Sequence, residues 1–276
     1  MSSSDDQNSV PWLLEKLKSV AVGATQSQVD LVAASCRVYE GNRVLRNGLA
    51  LPLHCACPDA NDCWSRPSLV RPPREEASVS VPWVGASYRR GGLTAIGINM
   101  NAFGGLGAQW WKIRGAIRKL EGGQRVQFYF RAGAYFASVL RALAHDQPNS
   151  DPTPESAAIG WEGCSFLEAV KCSPIGSASR PEKSMWKNCP PRYLEAELEV
   201  LAPRVVLTLG VGVGNVAQEM PGFTQTDDGE GFARGVATVA DTKVEILRCR
   251  HPGRSERLWR ASYDSLHASL ERHPLT

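Results

Sequence analysis

Short apolar runs punctuate the chain at 93–98, 164–170, 205–209 and 243–247, each closed by asparagine, glycine or a charged residue. Runs of this length bounded by such breaks predict buried strands. Between them the apolar positions recur at helical spacing. Helices are expected over 10–22 (Trp12, Leu13, Leu17 and Val20, with Pro11 in the first turn), 27–39, 104–124, 128–144, 191–201, from about 215, and over 258–272. Over 128–144, Phe130, Ala134, Ala137, Leu140 and Leu143 form one apolar face for a sheet. Alternating strands and helices predict an α/β protein: three-layer α/β/α around a central, mainly parallel four-stranded sheet.

The polar stretches read as connections. Residues 145–156 are a Pro/Asp/Asn/Ser linker, 173–188 a Ser/Pro/Arg/Lys loop, and 224–235 an exposed polar loop. Residues 47–80 hold many prolines, three cysteines and the run Arg71-Pro72-Pro73-Arg74-Glu75-Glu76. A loop of that length is functional, disordered or pinned by ligands, and the cysteines favour pinning. The expected organisation is an N-terminal segment over 1–80 packing on an α/β/α domain over 81–276, as one compact unit.

Composition narrows the classes. Hydrophobic content of 43% and charged content of 21% are those of a globular chain. No apolar run approaches the roughly 18 residues that span a membrane, and residues 1–8 are polar and acidic, unlike a signal peptide. A cytoplasmic protein with no membrane partner is the expectation. A net charge of +3 is mild, so any nucleic-acid site rests on local clustering. The candidate cluster is Trp110, Trp111, Lys112, Arg114, Arg118, Lys119 and Arg125, aromatics interleaved with cations. Eight cysteines without a secretory signal read as metal or cluster ligands, or as small buried apolar residues.

Ligands of open α/β sheets sit at the carboxyl ends of the strands. Three such ends here carry chemistry: Asn99, with Phe103 and Gly104, Gly105 and Gly107 behind it; Glu168, followed by Lys171-Cys172; and His251-Pro252. The motifs are similar to those of the uracil-DNA glycosylase superfamily. Gly97-Ile98-Asn99 resembles its first motif, in the form used by the mismatch-specific and single-strand-selective branches. Val170-Lys171-Cys172, Cys189 and the stretch Leu201-Ala-Pro-Arg-Val-Val-Leu-Thr-Leu-Gly210 resemble the iron–sulfur branch, and His251-Pro252-Gly253 resembles the closing His-Pro-Ser motif. Two positions depart: Met100 stands where the family has proline, and Glu168 where the iron–sulfur branch has the asparagine that reads uracil.

The resemblance implies a monofunctional DNA glycosylase that flips a base and hydrolyses its N-glycosidic bond. Asn99 would orient the attacking water and His251 would donate to the carbonyl oxygen of the leaving base. Phe103 would stack on that base, with Gly97, Ile98 and Met100 lining its pocket. Arg254, Arg257 and Trp259 follow His251, where relatives insert side chains into the gap left by the flipped base, and Lys171, Trp110 and Arg114 would meet DNA. Cys172 and Cys189 would hold a 4Fe–4S cluster with two of the N-terminal cysteines, Cys57 and Cys63, Cys55 substituting for Cys57; zinc is the alternative. Cys36, Cys164 and Cys249 would be core. An ionised glutamate only accepts hydrogen bonds, so Glu168 suits the exocyclic amine of cytosine. The expected substrate is therefore a 5-substituted cytosine, as in phage-type modified DNA met in antiviral defence. Uracil in base excision repair and non-catalytic binding of DNA are the alternatives. DNA is the expected partner, and no obligate protein partner is implied.

Overall fold

The structure is a computed structural model that describes residues 25–46, 49–51, 53–66, 81–98, 108–146, 151–172 and 181–275. The helix expected over 10–22 lies outside the described residues, as do Asn99, Met100, Phe103 and the glycines after it.

Among the described residues the chain divides into two units. One comprises those within 1–83, 99–111 and 168–200, the other those within 84–98, 112–167 and 201–276. The first holds α1 (Gln26–Gly41), the antiparallel pair β1 (Leu45–Arg46) and β2 (Leu49–Ala50), and the short helices α2 (Leu53–Ala56) and α3 (Ala60–Cys63). Thr25 caps α1 through a reciprocal box with Gln28, which meets backbone donors that the first turn would leave unpaired.

Among the described residues the mixed sheet has seven strands in the order β3-β5-β4-β6-β9-β8-β7. These are β3 (Trp83–Val84), β4 (Leu93–Gly97), β5 (Cys164–Glu168), β6 (Val205–Leu209), β7 (Thr224–Gly229), β8 (Phe232–Val239) and β9 (Thr242–Cys249). β4, β6 and β9 run parallel, and β8 and β7 extend the sheet antiparallel. Every residue of β4 and β6 is buried, as continuous apolar runs in a covered parallel sheet require. Thr94 is the polar exception in β4, and its hydroxyl bonds Ser165 Oγ at 2.7 Å.

The helices are α4 (Ala108–Glu121), α5 (Gln127–Leu143), α6 (Pro154–Gly163), α7 (Lys183–Cys189), α8 (Glu195–Leu201), α9 (Val211–Gln218) and α10 (Glu256–Arg272), with a π-turn over Pro190–Leu194 between α7 and α8. At the crossing of α5 and α6, a Cβ on Gly133 would lie 2.4 Å from the Ala157 carbonyl oxygen. Only glycine permits that approach.

Two expectations are corrected. Among the described residues the sheet has seven strands instead of four: the two-residue β3 joins one end, and β7 and β8 form a hairpin that begins where a polar loop was expected over 224–235. Five of β7's six residues are exposed, so it lies at the sheet edge with no apolar face to announce it. The linker expected over 145–156 ends early, at α6, where Thr153 and Ser156 form a capping box around Pro154.

Candidate functional site

Register brings three strand ends level. Ile96 pairs with Thr208 and Thr208 with Arg248, one step before Leu209 pairs with Cys249. The next residues out are Ile98, Gly210 and Arg250, and His251 follows one residue further. Gly210 has φ of +113°, and a Cβ there would lie 3.4 Å from His251 Cβ and 3.6 Å from Ile98 Cδ1. Those distances are ordinary contacts, so it is the positive φ that calls for glycine here, with Ile98 and His251 flanking it on either side. Asn99 follows Ile98 in the chain, beyond the described residues.

His251 is held in one tautomer. Gly253 N–H donates to its Nδ1 at 3.1 Å, which leaves the proton of the neutral ring on Nε2. The Phe128 ring from α5 sits 5.4 Å from the imidazole, centre to centre. Burial first, and Arg254 second, push the imidazole pKa below the usual 6.5. A neutral donor aimed from a strand end can stabilise an oxygen that gains negative charge.

Glu168 is the last residue of β5, the strand beside β4, and its Oε2 is shielded from solvent. Gly97 ends β4 and is buried; Ile98 is half-buried.

Arg254 and Arg257 are exposed, as a contact with DNA requires. Three of the other residues expected to meet DNA have partners within the protein. Trp110 is 2% exposed, donates from Nε1 to the Pro82 carbonyl at 2.7 Å and packs on Trp83. Arg114 is engaged by the Glu162 carboxylate. The Lys171 side chain is 3% exposed and pairs with Glu197, which also accepts from Tyr39; a charge so buried stays only because it is compensated. Trp259, expected near inserted side chains, is buried against Tyr263. Trp111, one residue past Trp110, is 56% exposed, with Arg118 and Lys119 exposed further along α4. The helical phase of 110–119 carried that distinction, since one step turns a side chain through about 100°.

Within the first unit, Cys57, Cys63, Cys172 and Cys189 line one small cavity, whereas Cys55 is exposed and lies outside it. Tyr193 donates to Cys57 Sγ at 3.2 Å, and Asn188 Nδ2 to Cys63 Sγ at 3.6 Å. A hydrogen bond between Cys172 and Cys189 raises the first thiol's pKa and lowers the second's. The backbone N–H groups of Lys171 and Cys172 and the Lys171 charge also favour a Cys189 thiolate. Among the described residues no three His, Cys, Asp or Glu side chains stand close enough to hold one metal ion. The donor chemistry nonetheless suits a larger thiolate-bound group: four sulfurs face one space and hydrogen-bond donors reach three of them. Cys36, Cys164 and Cys249 are buried away from this cavity.

No helix among the described residues is long and apolar enough to cross a membrane. A family model described as the uracil DNA glycosylase superfamily matches residues 115–271, which include Glu168, Gly210 and His251. No curated protein matches the chain.

Proposed function

The chain belongs to the uracil-DNA glycosylase superfamily and carries a DNA-binding glycosylase domain; from that premise we propose that it excises a 5-substituted cytosine from DNA by hydrolysis. The observation that carries this reading is His251 at the level strand ends, its Nε2 proton fixed by Gly253 N–H on Nδ1. As the N-glycosidic bond lengthens, charge builds on the carbonyl oxygen of the departing base, and His251 Nε2–H donates to it. Asn99 would orient the attacking water, and the product is an abasic site. Lys171 supports the monofunctional reading: its amine is committed to Glu197, so water and not this lysine is the nucleophile. Glu168 accepts from the exocyclic amine of the flipped cytosine. Modified phage DNA is a source of such bases, which makes antiviral defence a fitting setting.

The test incubates the protein with oligonucleotides bearing uracil, cytosine, 5-methylcytosine or 5-hydroxymethylcytosine. Alkali then cleaves abasic sites, and mass spectrometry identifies the freed base. Release of a 5-substituted cytosine is expected. Efficient release of uracil alone overturns the substrate, and tight binding with no cleavage overturns the activity.

The tautomer fixes the pH profile. Protonating Nδ1 sets two donors against each other, because Gly253 N–H already points there. His251's folded pKa lies below its unfolded value, so the neutral form and the stability it contributes are complete above about 6.5 and lost as pH falls through the folded pKa. Single-turnover excision should be flat from about pH 6.5 upward and fall only in more acidic solution. A rate still rising between pH 7 and 8 contradicts this.

The thiol cavity is read as a 4Fe–4S site of Cys57, Cys63, Cys172 and Cys189. Bound there, the cluster supplies cross-linking between chain segments distant in sequence, since hydrolysis needs no electron. The protein purified without oxygen should be brown and carry about four irons per chain, and Cys189→Ala should lose both colour and iron. Zinc in place of iron assigns the site to the other metal; a colourless protein free of either sinks the assignment.

A further inference from the structure

The turn that follows His251 contains few bonds of its own. Arg254 N–H donates to the His251 carbonyl at 3.0 Å, and Gly253 N–H to the imidazole. The carbonyls of Pro252 and Arg254 are both met by one side chain from α5. Arg131 Nη1 donates to Pro252 O at 3.2 Å and to Arg254 O at 2.6 Å, while Nη2 donates to the Glu256 carboxylate. Arg131 is 8% exposed, and its guanidinium carbon lies 5.6 Å from the centre of the Trp259 ring. Phe128, three residues earlier on the same helix and so on the same face, packs on the imidazole itself. One face of α5 thus touches both the ring and the turn that sets its tautomer.

We propose that Arg131 is a positioning residue for His251: it holds the 252–256 turn so that Gly253 N–H stays on Nδ1 and Nε2–H stays aimed into the site. The proposal rests on the reading of His251 as donor to the leaving base. A lysine cannot replace it, because its compact ammonium lacks the planar fork that reaches two carbonyls and a carboxylate together. The charged group facing His251 among the described residues is Arg254 of its own turn. Its neighbours from β4, β6 and α5, namely Ile98, Gly210 and Phe128, carry no charge.

The experiment follows the ring directly. The full chain has five histidines; labelled with ¹⁵N, their long-range proton correlations report the tautomer and pKa of each. Wild-type His251 should show Nε2–H alone, with a pKa below 6.5. In Arg131→Lys and Arg131→Met it should show mixed tautomers and a pKa moved up toward 6.5, as the turn loosens and water enters. His267, held by Ser138 at 2.9 Å, should keep its own titration. Excision from a 5-hydroxymethylcytosine oligonucleotide should fall about 10²-fold in Arg131→Met, the size expected of a small misplacement, and scarcely further in a His251→Ala background. A lowered melting temperature with His251's tautomer and pKa unchanged overturns the proposal, and if the methionine variant does not fold the lysine variant decides alone. A shifted tautomer in a protein whose His251→Ala form excises normally would uphold the positioning role and retire the catalytic one.

Discussion

His251→Ala should slow single-turnover excision by about 10²–10³-fold, the usual cost of removing one preorganised donor to a developing oxyanion. That corresponds to about 3–4 kcal/mol of barrier. The size follows from where the donor sits. Its proton is fixed on Nε2 by the Gly253 N–H, and its ring is held by Phe128, so little reorganisation remains when charge develops. The fold should survive, since the ring's bond to the protein is one exposed contact within its own turn. Circular dichroism and the melting temperature check that. Gel-shift affinity for DNA should be nearly unchanged, because the donor is strongest in the transition state. A His251→Ala protein that excises at the wild-type rate removes the residue from the chemistry.

How much of this was legible in sequence depended on burial. β4 and β6 are covered on both faces, so each reads as an unbroken apolar run and was placed within a residue of its true ends. β7 has no buried face and carries Asp227, Asp228 and Gly229, so nothing in its pattern distinguishes it from a loop. α6 was legible and missed: Pro154 after Thr153, with Ser156 in the capping position, is a helix start. The order of strand-end motifs put His251 at the sheet edge, but the bond from Gly253 that fixes its tautomer depends on a turn geometry no pattern encodes. Lys171 shows the limit from the other side. Beside Cys172 it read as a DNA contact, yet its partner Glu197, and the Tyr39 hydroxyl that also donates to that carboxylate, come from distant parts of the chain. Only folding could reveal that the charge was already compensated. The cysteines divided in a similar way: spacing left Cys55, Cys57 and Cys63 as alternatives, and the cavity holds the last two.

Glu168→Asn should exchange one substrate for another. Uracil offers O4 as an acceptor and N3–H as a donor, and an asparagine amide complements both. Cytosine offers its exocyclic amine and an N3 acceptor, and an ionised carboxylate meets only the amine. Matching or mismatching one such base edge is worth about 1–3 kcal/mol. The substitution weakens one complex and repairs the other, so the ratio of uracil to 5-hydroxymethylcytosine excision should swing by about 2–6 kcal/mol. That is between about 30-fold and about 10⁴-fold. Glu168→Gln separates charge from shape: it keeps the side-chain length and replaces one acceptor oxygen by a donor, so it should lose the modified cytosine without gaining uracil as well as asparagine does. Both variants keep a polar group at the end of β5, whose preceding residues Cys164–Leu167 are all buried. The measurement is competitive, with both bases in one oligonucleotide mixture and the freed bases weighed by mass spectrometry, so that a change in total activity cancels. If Glu168→Asn leaves the ratio where wild type has it, the carboxylate does not read the base, and the preference must come from the wall facing position 5.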